Sequence, residues 1–173
     1  NGDTYGYDYI ANVNTGDLWA VASYITNKLD YYFGANYEMN QFWRTGNMRN
    51  GRFPNDSKGD SKKELFNTYG LKGGTTWKIT GRHFIDANVA YLTRAPFFRN
   101  SYISPRTSNF TIPGLTNERI ASADINYNLR SPYIKARLSA YYTKFMDQTE
   151  LKTFYYESAD LRTFVNYMMT NIE

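Results

Sequence analysis

The 173-residue sequence contains no cysteine and a single histidine, His83. Disulfide bonds and thiolate metal sites are therefore excluded. A zinc site of the usual kind is nearly excluded as well, because it needs several His or Cys ligands. The sequence also lacks any apolar run near the ~18 residues that a membrane-spanning helix requires. A disulfide scaffold, a zinc protein and a helical membrane protein are all disfavoured.

Aromatic residues, in contrast, are unusually common at 18% of the chain, and tyrosine alone accounts for 17 residues. The mean hydropathy is nevertheless −0.63, so the chain is polar on average. A strand with one lipid-facing side and one wet side averages out in this way. A soluble, tyrosine-rich β-sandwich fits the same composition, so composition alone leaves both classes open.

Apolar and polar residues alternate with a period of two along several stretches of the chain. In residues 29–41 the odd-numbered positions are mostly apolar or aromatic, and the even-numbered positions are mostly polar. Because successive side chains of a strand point to opposite faces, this stretch is predicted to be a strand with one apolar face. The same pattern recurs at residues 83–91, 121–129 and 133–143, and more weakly at 18–26 and 65–78.

The predicted strands are long, since several reach roughly 9–13 residues where a mean globular strand has about 5–6. A tilted membrane strand needs about 9–11 residues. Aromatic residues near the strand ends are typical of the girdles of a membrane barrel, although they suit sheets of any kind. The candidate girdle residues are Trp77, Tyr91, Tyr127, Tyr133 and Tyr142. We predict an all-β fold: an antiparallel meander of about eight long strands, one domain over residues 1–173, forming part of a larger transmembrane β-barrel.

The predicted connections between strands differ strongly in length. Three are short, at residues 26–28, 80–82 and 130–132, and two are long, at about 42–63 and 93–117. Short periplasmic turns and long extracellular loops are the expected asymmetry of an outer-membrane barrel. Residues 14–17 (NTGD) also predict a tight turn, with the segment from Thr4 to Val13 as the returning arm of a loop.

Basic residues are concentrated in the two long loops. The first loop carries six basic and two acidic residues, and the second carries three arginines and no acid. Such loops attract anionic partners at short range, for example lipopolysaccharide phosphates, acidic glycans or an anionic metal chelate. The alternative is that these charges only keep the loops solvated. Nucleic acid is not expected as a partner, because the aromatic residues follow the apolar faces of strands and not a basic face.

A second group of charged residues falls on the polar faces of the predicted strands and would line the barrel lumen. These lumen-facing charges are Asp30, Glu38, Lys72, Asp86, Asp124, Lys135 and Arg137. Two carboxylates can in principle perform acid–base chemistry. We expect them instead to pair with basic neighbours such as Lys72, Arg82, Lys135 and Arg137. His83 lies on an apolar face beside a turn, which argues against Ser–His–Asp catalysis. We therefore expect neither enzymatic activity nor a metal or other cofactor.

Four ordered stretches resemble the barrel of Bacteroidetes-type TonB-dependent outer-membrane receptors. Residues 69–78 (YGLKGGTTWK) form a strand that leads into a short turn, and residues 88–97 (NVAYLTRAPF) end a strand and open a long loop. Residues 115–120 (LTNERI) precede a strand and a turn, which are followed by residues 138–144 (LSAYYTK). A weaker match covers residues 161–167 (LRTFVNY). The resemblance covers most of the chain from about Leu18 onward.

This resemblance implies a barrel of roughly 22 strands that is closed by a plug domain. It implies import of a scarce nutrient, such as a metal chelate, cobalamin or a glycan, with energy from a TonB-type transducer. No plug, energy-coupling box or closing terminal strand is recognised in the sequence, so we expect a C-terminal barrel fragment in the outer membrane of a Gram-negative bacterium. Its partners would be outer-membrane lipid and the ligand. In isolation, it would self-associate through its edge strands.

Ligand contacts are expected from the long loops, because loops carry binding in such scaffolds and Trp, Tyr and Arg dominate binding energy. The candidates are Trp43, Arg44, Arg94, Phe97, Phe98, Arg99 and Tyr102. Two alternatives remain open. One is a complete small outer-membrane barrel with a structural or adhesive role, and the other is a soluble β-sandwich that binds carbohydrate.

Overall fold

The computed structural model describes residues 5–157 and 162–172, and their regular structure is almost entirely β-strand. The strands are β1 Tyr9–Ile25, β2 Leu29–Gly46, β3 Gly59–Asp60, β4 Glu64–Lys78, β5 His83–Arg94, β6 Glu118–Arg130, β7 Lys135–Met146, β8 Gln148–Glu157 and β9 Arg162–Ile172. One 3-10 turn covers Phe98–Asn100. Within these described ranges, no helix has the length and apolar character that crossing a membrane would take.

Six long strands form one antiparallel sheet in the order β1-β2-β4-β5-β6-β7. The two-residue β3 pairs with the C-terminal end of β2, which we call its upper end because it leads into the first long loop. Each long strand pairs with the next long strand along the chain, which is a meander. β8 and β9 form a separate two-stranded sheet. The predicted all-β antiparallel meander is therefore confirmed. In the part of the chain that is described the sheet does not close, since β1 and β7 each have one unpaired edge.

The pairing register places the alternating residues on two consistent faces, because partners in neighbouring antiparallel strands point to the same side. One continuous row runs Phe33–Gly73–Val89–Ala123–Tyr142 through β2, β4, β5, β6 and β7. The side chains of this face are apolar and exposed, and the fractions reach 63% for Val89 and 69% for Tyr142. We call this side of the sheet the apolar face and the opposite side the polar face.

Aromatic residues mark both ends of the apolar face. Trp77 and Tyr127 share one row through Ile85 near the short turns. Toward the long loops, Tyr69 packs against Tyr91 with ring centroids 6.4 Å apart. Three of the five predicted girdle residues therefore lie near the ends of this face, whereas Tyr142 is in its middle row and Tyr133 is in a turn.

The predicted short turns are present, and the long loops are somewhat shorter than expected. Residues 42–46 continue β2, so the first loop covers 47–63, and Thr93 and Arg94 end β5, so the second covers 95–117. β2 extends because its upper end pairs with both β1 and β3.

The tight turn predicted at residues 14–17 is wrong. These residues lie in the middle of β1 and pair with residues 38–41 of β2, for example Gly16 with Met39. The glycine has an extended conformation there, and the long partner strand holds the polar run in register despite its turn-like composition. Of the predicted returning arm, residues 9–13 belong to the same strand, while Thr4 lies outside the described residues.

The buried core sits at the loop end of the polar face and not between two sheets. Phe42 of β2, Phe66 of β4 and Tyr102 of the second loop form it, and Phe98 and Leu115 pack against them. Phe42 stacks on Phe66 with ring centroids 5.6 Å apart, and Phe98 is 4.9 Å from Tyr102. The two long loops thus fold inward over the polar face. We call this packed unit, residues 47–63 and 95–117 together with the upper ends of β2 and β4, the loop cap.

Candidate functional site

The polar face carries a hydrogen-bonded network across five strands. At the end near the short turns, Lys78 Nζ forms an ion pair with Asp30 at 2.6 Å. Asp86 accepts hydrogen bonds from Thr76 Oγ1 at 2.8 Å and Asn128 Nδ2 at 2.6 Å. The ion pair connects β2 with β4, and the two hydrogen bonds of Asp86 connect β5 with its neighbours β4 and β6.

The network continues toward β7 through uncharged amides. Asp124 accepts from Asn88 Nδ2 at 2.8 Å, and the Tyr32 hydroxyl donates to Asn88 Oδ1 at 2.9 Å. Arg137 Nη2 donates to Asn126 Oδ1 at 2.8 Å. Gly74 lies between Tyr32 and Asn88, and a Cβ at this position would be only 2.5 Å from the tyrosine ring. The glycine is therefore what lets the tyrosine reach across β4.

All seven charges predicted to share one face do so in the pairing register. Asp30, Glu38 and Lys72 lie on β2 and β4, and the remaining four lie on β5, β6 and β7. Their partners differ from the expected counter-charges. Asp30 pairs with Lys78, while the described contacts of Asp86 and Asp124 are with hydroxyl and amide groups. The face is thus held by mixed polar contacts more than by ion pairs.

Arg44 is the centre of the loop cap and is only 1% exposed. Its Nε donates to the Pro105 carbonyl at 2.9 Å, and its Nη2 donates to the Arg106 carbonyl at 3.1 Å. Its Nη1 donates to the Ser57 carbonyl at 2.9 Å and also to the Asn109 side chain. One planar guanidinium therefore binds both long loops at once. The compact ammonium of a lysine could not reach these acceptors together, because it lacks the planar fork of donors.

Close backbone packing and a buried hydroxyl pair complete the cap. A Cβ on Gly46 would lie 1.8 Å from the Ser57 carbonyl, so only glycine permits this approach of the first loop to β2. The Tyr102 hydroxyl is 2.8 Å from Ser61 Oγ, and that same oxygen accepts from the Arg44 amide at 2.9 Å. Burial raises the pKa of Tyr102 above its ordinary value. The cap is accordingly a prearranged unit in which the polar groups of Arg44, Ser61 and Tyr102 are hydrogen-bonded to one another and to the loops.

The seven predicted ligand-contact residues divide between the interior and the surface of this cap. Arg44 and Tyr102 are buried inside it, and Phe98 packs against the core. Trp43 lies on the apolar-face side of β2, where Lys63 Nζ is 4.5 Å from its ring centroid. Phe97 and Arg99 are exposed. The structure therefore does not bring the seven predicted ligand-contact residues together at one exposed surface.

Arg94 has an acidic partner that the sequence reasoning missed. Its guanidinium binds Glu118, which is 2% exposed, and it also lies 4.5 Å from the centroid of the Phe97 ring. The two residues are directly paired at the ends of β5 and β6. Arg94 and Glu118 carry opposite charges at the two ends of the second loop, and this was the available sequence signal for the pair. This pair closes the base of the second loop.

A groove lies between the second loop and the β8–β9 hairpin, and its volume is about 440 Å³. The groove is lined by Arg99, Ser104, Pro105, Arg106, Leu151, Thr153, Phe164 and Asn166. Asn166 Nδ2 donates to the Ile103 carbonyl at 2.8 Å, and Asn100 Nδ2 donates to the Thr149 carbonyl at 3.0 Å. These two bonds hold the hairpin against the loop. Sequence reasoning did not identify the hairpin as part of a site; Leu161, at the start of the weakest family-like stretch, lies outside the described residues.

The described part of the chain contains no cluster of three or more His, Asp or Glu residues with the spacing of a metal site. The lone histidine, His83, has its Nδ1 2.6 Å from the Tyr127 hydroxyl. Comparison of the chain with protein-family models, with curated proteins and with solved structures gave no match.

Proposed function

We propose that this chain is the loop-bearing part of a transmembrane β-barrel in the outer membrane of a Gram-negative bacterium. The observation that carries the proposal is the exposed apolar face, which continues without interruption through all six long strands of the sheet. Leu18 on β1 is 75% exposed and Leu138 on β7 is 74% exposed, with Val89 between them at 63%. A monomeric soluble protein rarely exposes so large an apolar patch.

The dimensions of the face support the same proposal. Tyr37 lies six positions after Tyr31 in β2, which is about 20 Å along a strand at roughly 3.3 Å per residue. The apolar band of a membrane barrel is about 25 Å tall and is flanked by aromatic girdles. The described residues place no second layer over this face, whereas a soluble sandwich would bury it. The polar network on the opposite face is what a wet lumen requires.

The narrower proposal is that the parent protein is a TonB-dependent receptor that binds and imports a nutrient. It is supported by the family-like stretches, because the strand ends and starts expected from them agree with the strands of the sheet. Residues 69–78 complete β4, residues 88–94 complete β5, and residues 118–120 begin β6. Transport would belong to the parent protein, with a plug and an energy transducer. A plug-domain sequence upstream in the same reading frame is expected, and a full-length reading frame that encodes no plug domain would contradict the receptor proposal.

Neighbouring residues of β6 offer a matched test of the membrane proposal. Ala123 lies on the apolar face, beside Val89 and Tyr142, and Ser122 lies on the polar face of the same strand. Ala123→Lys places a charge in the bilayer and is expected to cost about 2–4 kcal/mol of folding free energy there. Ser122→Lys adds the same charge facing the lumen and is expected to cost about 0–1 kcal/mol.

The measurement is folding of each variant into phosphatidylcholine vesicles, followed by protease protection and urea titration. Equal effects of the two lysines, or a wild-type protein that stays monomeric in water and ignores the vesicles, would sink the membrane proposal. The second outcome would favour the soluble sandwich.

A further inference from the structure

We propose that the groove between the second loop and the β8–β9 hairpin binds a small organic anion, with a carboxylate or phosphate on Arg99 and Arg106 and an apolar ring body on Phe164. The inference deepens the proposed receptor function, because it assigns a ligand class and a place to bind it. It rests on the cap and the hairpin, not on how the sheet meets a bilayer.

The charge of the groove is not neutralised by neighbouring protein groups. Arg99 and Arg106 are exposed, and among the described residues no carboxylate pairs with either. The Arg106 guanidinium lies 5.2 Å from the centroid of the Tyr7 ring, a contact that orients the cation and leaves its charge in place. Two unpaired guanidiniums at one groove are complementary to a carboxylate or phosphate.

The uncharged hydrogen-bonding side chains of the groove, those of Ser104, Thr153 and Asn166, already have partners within the protein, and this narrows the class of ligand. Thr153 Oγ1 donates to Asn166 Oδ1 at 2.8 Å, and the amide of Asn166 donates to the Ile103 carbonyl. Ser104 Oγ is 2.8 Å from Thr107 Oγ1. A ligand rich in hydroxyls would find few free partners here. An anion whose remaining surface is apolar fits better.

The apolar part of the groove is formed by Leu151, Pro105 and Phe164. Phe164 is 64% exposed, and an edge contact with Tyr155 at 5.3 Å between centroids fixes its ring. An exposed and fixed aromatic ring is a good platform for a ligand ring, because little conformational entropy is lost on binding. The volume of about 440 Å³ is within the range of small-molecule sites.

The groove is also prearranged by the buried Arg44. Its guanidinium donates to the carbonyls of Pro105 and Arg106, so the backbone that presents the Arg106 side chain is bound to β2. Rigid support of this kind lowers the cost of binding. The buried arginine acts as a positioning residue, whereas the two exposed arginines would touch the ligand.

The test titrates the whole protein in detergent micelles with phthalate, a water-soluble aromatic dianion, and measures binding by calorimetry at low salt. We expect millimolar or tighter binding that weakens as salt is added. The neutral diamide of phthalate should bind at least about tenfold more weakly, because it lacks the charge-assisted bonds. Inorganic phosphate should also bind more weakly, because it lacks the ring.

The variants use matched charge changes on two loops. Arg99→Gln together with Arg106→Gln should lower phthalate affinity by about tenfold or more. Arg49→Gln together with Lys58→Gln removes the same charge from exposed positions of the first loop and should change the affinity less than about threefold. Phe164→Ala should weaken phthalate and leave the weaker phosphate binding unchanged.

Any of three results would overturn the inference. The first is no phthalate binding at about 10 mM, which is tenfold above the millimolar affinity that we expect. The second is an equal loss of phthalate affinity in the two double variants, and the third is equal affinity for phthalate and its neutral diamide. A protein that inserts into vesicles yet shows any of these results would refute the ligand class alone. A protein that binds phthalate but ignores vesicles would refute the membrane proposal alone.

Discussion

Arg44 shows how much of the loop cap depends on a single side chain. It is buried at the end of β2, and its guanidinium binds four acceptors on the two long loops. Lysine would keep the positive charge but cannot form this fork. The sequence predicted Arg44 to be a ligand contact, but in the structure its guanidinium donates its hydrogen bonds to other groups of the protein.

We predict that Arg44→Lys destabilises the cap by about 2–5 kcal/mol, because buried charge-assisted hydrogen bonds are lost and acceptors are left unpaired. The cap should open while the sheet remains. Limited proteolysis is expected to cut residues 47–63 and 95–117 at least tenfold faster, which corresponds to about 1.4 kcal/mol or more of opening free energy. Arg49→Lys, at an exposed position of the same loop, is the control. Equal cleavage of both variants would contradict the role of Arg44.

Tyr102 gives the cap a pH dependence with a defined sign. Burial raises the pKa of its phenol, so the folded state holds the proton more tightly than the unfolded chain does. The stability that the protonated Tyr102 hydroxyl contributes is therefore complete below the pKa of tyrosine in the unfolded chain, about 10. It is lost as the pH rises through the higher pKa of the folded state. Tyr102→Phe keeps the ring and removes the titration.

The measured quantity is the free energy of unfolding of the wild type minus that of Tyr102→Phe, which cancels the other tyrosines. We expect this difference to favour the wild type at pH 8, through the hydroxyl contact with Ser61, and to fall or reverse at pH 11. A difference that is constant between these pH values would mean that Tyr102 is not buried in solution.

At the scale of elements, β2 combines two environments in one strand of 18 residues. Its first part alternates apolar and polar residues, whereas its last part places Phe42 and Arg44 inside the cap. Gly46 ends the strand, where the Ser57 carbonyl lies too close for any side chain. The strand thus links the sheet rigidly to the loops.

We predict that Gly46→Ala displaces the first loop and leaves the sheet intact, because the atoms nearest to the added methyl group belong to Ser57 of that loop and to the Arg44 side chain. Hydrogen exchange should rise at residues 47–63 and remain slow in β4 and β5. Gly51→Ala is the matched control, since its Cβ would meet no atom within 4 Å. Exchange that rises equally in both variants, or throughout the sheet, would count against this local effect.

The strands themselves were largely readable from the sequence. Alternation located β2, β5, β6 and β7 because one face of each is apolar along its length. It failed at residues 14–17, where Asn, Thr, Gly and Asp resemble a turn but are held extended by pairing with β2. Local propensity is weak against a ladder of cross-strand hydrogen bonds, so tertiary context decided that segment.

At the scale of the whole molecule, the two open edges are the dominant feature. β1 has 17 residues and β7 has 12, and each is paired on only one side in the described residues. Such edges are templates for further strand pairing. In the proposed barrel, neighbouring strands of the parent protein would occupy them.

We predict that the chain alone associates through these edges in dilute buffer, and the absence of cysteine allows a clean test. Ser23→Cys on β1 and Ser139→Cys on β7 should give disulfide-linked dimers on mild oxidation, because edge strands of two copies would pair. Thr80→Cys, in an exposed turn, should remain largely uncrosslinked. A clean monomer by light scattering would argue against edge pairing, as would equal crosslinking of all three variants.

Sequence alone determined β2, β5, β6 and β7, the two faces of these strands and the lopsided loops, because alternation, turn residues and charge are local properties that each strand carries by itself. It also placed the seven polar-face charges on one side. Only the tertiary structure decided that Arg44 and Tyr102 are interior residues and that Arg99 and Arg106 meet Phe164 at one groove. These partners are dozens of residues apart, and their contacts depend on how two loops fold over a sheet, which no local pattern specifies.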